Sequence, residues 1–170
     1  KIDEFREHQE PFALFLLDVD SFKQINDSLG HLTGDQLLCQ VAARLDYNAR
    51  SPDQAFRLGG DEFCLILSGC DNQEDIVSVA KRICFHLGKP YEIEDTSVLS
   101  RVSLGVVMYT DIKDTRDDVL NFADLALYHA KQNNRGGYAL FDSQMRHCLR
   151  HEIEVANDLE GIESRNELIV

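Results

Sequence analysis

The chain has 170 residues, 44% of them hydrophobic, which is enough to bury one core and too few for two full domains. Its 30 acidic and 17 basic side chains give a net charge of −13, which excludes nonspecific nucleic-acid binding because a polyanion would be repelled. No apolar run approaches the roughly 18 residues of a membrane helix, so we expect no direct membrane contact. Five cysteines without CxxC spacing are typical of reduced thiols in the cytoplasm.

The first half of the chain alternates between strand and helix patterns. Phe12 to Leu17 is a continuous β-prone run that predicts a strand buried on both faces. Apolar residues at helical spacing from Asp35 to Tyr47 predict a first helix. Two short strands, 54–58 and 63–67, flank Gly59-Gly60-Asp61-Glu62, whose composition is typical of a tight hairpin turn.

The second half continues the alternation. Helical spacing over 76–87 predicts a second helix, and 102–108 predicts a strand in which Gly105 marks a bulge or a close approach. Thr115 is placed to cap a third helix, and 138–141 predicts a short final strand. Because the hairpin pairs its strands antiparallel, we expect an α/β (α+β) fold with a central, mostly antiparallel sheet flanked by helices.

Carboxylates stand where two of the predicted strands end. Asp18 and Asp20 follow the first apolar strand, while Asp61 and Glu62 lie in the hairpin turn. Hard oxygen ligands grouped in this way suit Mg²⁺, with phosphate oxygens completing its octahedral shell. The alternative is that each carboxylate caps a helix or shapes a turn, as single Asp residues commonly do.

Four segments carry a more specific pattern, and their order is informative. They are Phe22–Asp27, Gly30-His31 with Gly34-Asp35, Arg57–Phe63 and Ala123–Lys131. Together they resemble the successive signatures of the GGDEF diguanylate cyclase family, over residues 12–141. The resemblance implies a nucleotide-cyclase, palm-like fold and a GGDEF domain at 1–142. Family members also carry an Asp-x-Leu-Thr-Gly segment before the first strand, which this sequence lacks, so we expect an N-terminally trimmed domain.

The resemblance implies a metal site and a catalytic group. Asp18 and Asp61 would bind Mg²⁺, or Mn²⁺ in its place, through their carboxylates, and Val19 would bind it through its main-chain carbonyl. Either Asp61 or Glu62 would act as the base, and both alternatives stay open. Lys23 would complete the catalytic residues at the phosphates.

The resemblance also implies how GTP would bind. Asn26 and Asp35 would read the guanine edge, because a carboxylate accepts from the N1–H and the exocyclic amine, a donor pair that adenine lacks. The residues that would contact GTP are Phe22, Lys23, Asn26, His31, Asp35, Lys131 and Arg135. Alternatively, Lys131 and Arg135 only complement a helix dipole.

The family reaction joins two GTP molecules into cyclic di-GMP. Each domain holds one GTP, so the resemblance implies a homodimer for catalysis. Arg50-Ser51-Pro52-Asp53 matches the spacing of a product-binding inhibitory motif, with Arg82 as a second contact contributed by a neighbouring domain. The alternative for this segment is an exposed turn.

Residues 143–170 predict an amphipathic connector helix, whose sequence resembles the lead-in to an EAL phosphodiesterase domain. The alternative there is a simple C-terminal helix. Two rival functions also remain: a non-catalytic domain that binds GTP or cyclic di-GMP and regulates an adjacent phosphodiesterase domain, and a structural dimerisation module.

Overall fold

The computed structural model describes residues 3, 7, 10–49, 53–70, 72–109 and 115–145. The strands are β1 (Phe12–Val19), β2 (Gln54–Gly59), β3 (Glu62–Ser68), β4 (Tyr91–Ile93), β5 (Thr96–Val98), β6 (Val102–Tyr109) and β7 (Tyr138–Leu140). The helices are α1 (Phe22–Leu29), α2 (His31–Asn48), α3 (Gln73–Leu87) and α4 (Arg116–Asn133). Most of the predicted connector helix, residues 146–170, lies outside the described residues.

Five strands form the main sheet in the order β2-β3-β1-β6-β7. All neighbours are antiparallel except β6 and β7, which are parallel. The expected mostly antiparallel sheet is therefore confirmed, with β1 in its middle. The register places Asp18 at the end of β1 opposite Glu62 of β3 and opposite Ser103 of β6.

Strand β1 is buried on both faces, as its apolar run predicts. Phe15 and Leu17 belong to a core that also contains the apolar faces of α2 and α3. Leu14 and Leu16 belong to a second core on the opposite face, beneath α4. Burial of one such side chain stabilises the fold by about 1.5–3 kcal/mol. The strand thus has no freedom to slide, and its polar end stays at one edge of the sheet.

Helix α4 approaches β6 closely because Gly105 has no side chain. A Cβ at Gly105 would overlap the carbonyl oxygen of Ala123 and the backbone nitrogen of Leu127. The predicted cap is also confirmed, because Asp118 N donates to Thr115 Oγ1 over 3.2 Å and the Asp118 carboxylate accepts from Thr115 N over 2.9 Å. Both features fix α4 along the sheet, and hence the position of its last turn.

The sequence patterns missed two elements. Helix α1 has only eight residues, fewer than the roughly 11 over which a helical period is recognised. The β4–β5 hairpin has strands of three residues each. Helix α2 also begins at His31, earlier than expected, because Gly30 with a φ of 87° separates it from α1. Within the described residues, no helix is long and apolar enough to span a membrane.

Candidate functional site

The turn between β2 and β3 is held against the end of β1. Val19 N donates to the main-chain oxygen of Asp61 over 3.2 Å. Within the turn, Nε and Nη2 of Arg57 donate to the Gly60 carbonyl over 3.0 and 2.7 Å, and Gly60 has a left-handed φ of 53°. The structure therefore brings Asp18, Asp61 and Glu62 to one edge of the sheet, as the sequence predicts.

Asp18 is a largely buried carboxylate with one cationic partner. Its Oδ2 lies 2.7 Å from Nζ of Lys131, and its side chain is 14% exposed. Burial raises the pKa of Asp18, Lys131 opposes that rise through its hydrogen bond and its charge, and the charges of Asp61 and Asp20 add to it. The carboxylate edge is thus a place where positive charge is stabilising.

Asp20 has a different set of partners from Asp18. It is 7% exposed, and its carboxylate accepts hydrogen bonds from Ser103 Oγ at 3.0 Å and from Arg135 Nε at 3.0 Å. Ser103 Oγ in turn accepts from the main-chain nitrogen of Gly136 over 3.1 Å. Sequence reasoning did not identify Ser103, although a serine inside an apolar strand is a signal of a buried polar contact.

The segment predicted to read guanine lies where α1 meets α2. The side-chain oxygen of Asn26 is buried there and has no hydrogen-bond partner among the described residues. It packs against Gly34, where a Cβ would overlap it, so only glycine lets the two helices approach in this way. Asp35, next to Gly34, is exposed, as are His31 and Lys23. The Asn26 side chain therefore has to turn away from Gly34 before a ligand's donor can reach this oxygen.

A groove of about 750 Å³ lies between α1 and the connection from β5 to β6. Its lining includes Ser21, Arg101 and Arg135. Ser21 precedes α1 with a left-handed φ of 60°, makes no side-chain cap, and the first turn of α1 holds no acidic residue. The first main-chain N–H groups of the helix and the guanidinium groups therefore favour an anion beside this groove.

The residues predicted to bind product are placed only in part. Arg50 lies outside the described residues. Oδ1 of Asp53 accepts from the main-chain nitrogen of Ser68 over 3.2 Å. Arg82 Nη2 donates to the carbonyl of Asn48 over 3.3 Å, at the end of α2 in the same chain, and its Nε is buried without a hydrogen-bond partner among the described residues.

The donor chemistry of the edge fits magnesium. The described residues hold no group of three or more His, Cys, Asp or Glu side chains that would bind a metal by themselves. In nucleotide sites, Mg²⁺ takes one or two carboxylates and fills its other positions with phosphate oxygens and water. Asp18 and Asp61 would supply such a pair of oxygen ligands, and the partly buried charge of Asp18 would favour a cation there.

Comparison with known families decides the classification. The model of the family described as "Diguanylate cyclase, GGDEF domain" matches residues 1–137. The chain belongs to the GGDEF family. This GGDEF domain is 35% identical over 159 residues to the bifunctional diguanylate cyclase/cyclic di-GMP phosphodiesterase MucR of Pseudomonas aeruginosa. The match covers 94% of this chain and 23% of MucR, so the chain spans about a quarter of that relative.

Solved structures of GGDEF domains agree in fold. The GGDEF domain of TpbB from Pseudomonas aeruginosa superposes with a TM-score of 0.82 at 33% identity, covering 88% of this chain and 87% of that one. The GGDEF domain of DgcB from Caulobacter crescentus, in complex with cyclic di-GMP, gives 0.77 at 28% identity, covering 83% and 84%.

We predict that Asp18 makes the fold less stable as pH rises. Its folded-state pKa lies above the ordinary value of 3.8, so the native state binds more protons than the unfolded state between the two values. The resulting stability is fully present below the unfolded-state pKa and is lost as pH rises through the folded-state pKa. Urea unfolding without divalent cations should therefore show that the free energy of unfolding of the wild type, relative to Asp18→Asn, falls as pH rises from about 3 through the raised pKa of Asp18.

The matched control is Asp46→Asn, which removes one exposed negative charge from α2 without touching this edge. If the wild type instead gains stability relative to Asp18→Asn as pH rises, the ion pair with Lys131 outweighs the effect of burial on the pKa of Asp18.

Proposed function

We propose that this GGDEF domain is a Mg²⁺-dependent diguanylate cyclase that condenses two GTP molecules into cyclic di-GMP and two pyrophosphates. The observation that carries the proposal is the pairing of buried carboxylates at the end of β1 with Lys131 and Arg135 at the end of α4. Such an edge holds both the oxygen ligands that a metal needs and the cations that phosphates need.

Each part of GTP has a counterpart on the surface. The α1 N-terminus, with Phe22 and Lys23, would offer main-chain donors to the phosphates, with Arg135 in the groove beside it and Lys131 at Asp18. Asn26 and Asp35 lie where α1 and α2 meet and would take the guanine, with His31 beside it. The Asn26 oxygen has no hydrogen-bond partner among the described residues, so the side chain can turn towards a guanine N–H donor without breaking a hydrogen bond at that oxygen.

The chemistry follows from that placement. The 3′-oxygen of one GTP attacks the α-phosphorus of the other, the bond to pyrophosphate breaks, and the hydroxyl proton passes to Asp61 or Glu62. A second attack in the opposite sense closes the ring. A bound Mg²⁺ would supply charge neutralisation at the phosphates, and the main-chain donors of α1 would hold them in line. Because one domain holds one GTP, two domains must face each other across a two-fold axis.

A second function is supported by one comparison. MucR is named as both a cyclase and a phosphodiesterase, and this chain matches about a quarter of it. A GGDEF domain beside a phosphodiesterase domain could instead bind GTP or cyclic di-GMP without turnover and regulate the phosphodiesterase. The residue types at the edge favour the cyclase, because a binding module needs neither a base nor a metal ligand at the α-phosphate.

Turnover separates the two functions. The domain is incubated at high concentration with GTP and Mg²⁺, and the products are separated by chromatography. Cyclic di-GMP and pyrophosphate in a ratio of one to two support the cyclase. Unchanged GTP, together with measurable GTP affinity, supports the binding module.

We predict that Asp61→Ala lowers the rate of cyclic di-GMP formation at least about a hundredfold, because the metal and the attacking hydroxyl lose a shared carboxylate. The thermal unfolding midpoint should change little, since Asp61 lies in a partly exposed turn. Asp95→Ala, in the exposed turn of the β4–β5 hairpin, is the matched control. Turnover by Asp61→Ala near the wild-type rate would show that Asp61 is not part of the catalytic site.

We predict that Asp35→Ala lowers the preference for GTP over ATP by at least about tenfold, because charged hydrogen bonds to the guanine N1–H and amine are lost. The affinities are compared by competition against a fluorescent guanine nucleotide. Asp46→Ala lies on the same helix, exposed and about 16 Å further along, and should leave the preference unchanged. Equal discrimination by Asp35→Ala and wild type would remove Asp35 from guanine recognition.

We further propose that product binds at Arg50 and Asp53 and inhibits turnover. A guanidinium fork suits a guanine Hoogsteen edge or a phosphate, and a carboxylate suits guanine N1–H. Arg50→Ala should weaken cyclic di-GMP binding about tenfold or more in calorimetry, while Arg116→Ala, at the far end of α4, should not. Equal affinity in wild type and Arg50→Ala would exclude this product site, whatever the catalytic result.

A further inference from the structure

Asp20, which directly follows β1, is more buried than Asp18. It is 7% exposed, and its main-chain nitrogen donates to the Arg101 carbonyl over 2.9 Å, so its backbone position is fixed. Burying a carboxylate is costly unless donors replace water. Two donors do so: the Ser103 hydroxyl, 3.0 Å from both carboxylate oxygens, and Arg135 Nε, 3.0 Å from Oδ1. These partners lie 83 and 115 residues away along the chain.

Ser103 links Asp20 to the main chain beside Arg135. The serine is fully buried in β6, and its single hydroxyl proton is directed at Asp20. Its oxygen then accepts from Gly136 N over 3.1 Å. Gly136 has a left-handed φ of 78°, and a Cβ there would lie 2.6 Å from Cδ of Arg101. Asp20 and Ser103 therefore hold both the side chain of Arg135 and the turn that follows it.

The guanidinium of Arg135 is only partly used by this contact. Its Nε is bound to Asp20, its side chain is 61% exposed, and it lines the groove beside α1. Its terminal Nη groups make no hydrogen bond to any described residue. Fixing an arginine by Nε lowers the entropy it loses when the other nitrogens bind an anion.

We infer, on the basis of the proposed function, that Asp20 and Ser103 are positioning residues: they hold Arg135 so that its free Nη groups meet the phosphates of GTP. Asp20 thus acts through Arg135, although it lies only two residues from Asp18. The single Ser103 hydroxyl proton lies between its two oxygens, and Oδ1 also accepts from Arg135.

A double-mutant cycle on nucleotide binding tests this inference. The ligand is 3′-deoxy-GTP with Mg²⁺, which lacks the attacking hydroxyl, so affinity is measured by calorimetry without turnover. Ser103→Ala changes no charge and should weaken binding about five- to tenfold, because Arg135 loses its fixed position. Arg135→Ala should weaken binding by at least as much. In the Arg135→Ala background, Ser103→Ala should have no further effect.

The matched control is Ser68→Ala. Ser68 lies opposite Phe12, at the other end of β1, and its buried hydroxyl has no hydrogen-bond partner among the described residues. Its substitution should change affinity less than about twofold. Equal effects of Ser103→Ala and Ser68→Ala, or a loss from Ser103→Ala that persists in full without Arg135, would overturn the inference.

If Ser103→Ala does not fold, Asp20→Asn keeps the shape of the side chain and serves in the same cycle with Arg135→Ala. Arg135→Lys adds a second test, since lysine keeps the charge but has no Nε–H; its affinity should be lowered and insensitive to Ser103→Ala. These measurements do not depend on cyclase activity. If the domain binds 3′-deoxy-GTP with the expected coupling but makes no cyclic di-GMP, the proposed function is wrong and the positioning role of Asp20 and Ser103 still holds.

Discussion

Two carboxylate–cation pairs, Asp18 with Lys131 and Asp20 with Arg135, are the contacts on which the polar end of β1 depends. Asp18 lies in β1 and Asp20 directly follows that strand, while Lys131 lies in the last turn of α4 and Arg135 in the turn that follows the helix. The two pairs form side by side, with N to O distances of 2.7 and 3.0 Å. A one-residue slip of β1 would break both pairs.

The rest of the fold serves to keep this register. β1 is central and packed on both faces, so it cannot slide without exposing apolar side chains on two cores. α4 lies directly on β6 because Gly105 leaves room for its backbone, which fixes the height of its last turn above the sheet. β3 brings the hairpin turn beside Asp18 through the pairing of Asp18 with Glu62. The site is thus assembled from four elements whose positions are set by apolar contacts away from it.

Much of this arrangement could be predicted from sequence. The strand at 12–17 was predictable because both of its faces are apolar, and the cap at Thr115 because capping is local chemistry. The family resemblance named Asp18, Asp61, Lys131 and Arg135, and the structure brings these four to one edge. The role of Asp20 was not predictable, since its partners come from β6 and from the turn after α4 and no local pattern connects them. α1 was missed because its eight residues are fewer than the roughly 11 over which a helical period is recognised.

The two pairs differ in how easily a ligand can replace them. Arg135 approaches Asp20 with Nε in fixed geometry, and Ser103 binds both oxygens of the same carboxylate, so removing any partner would leave a buried charge. Lys131 meets Asp18 through one contact on a flexible side chain that is 36% exposed, and an ammonium acts as a point charge that another cation can replace. In a chain of net charge −13, such a cation is favoured at Asp18 for the same reason that Lys131 is. The pair of Asp20 and Arg135 thus stabilises the local structure. The pair of Asp18 and Lys131 leaves Asp18 able to exchange one positive partner for another.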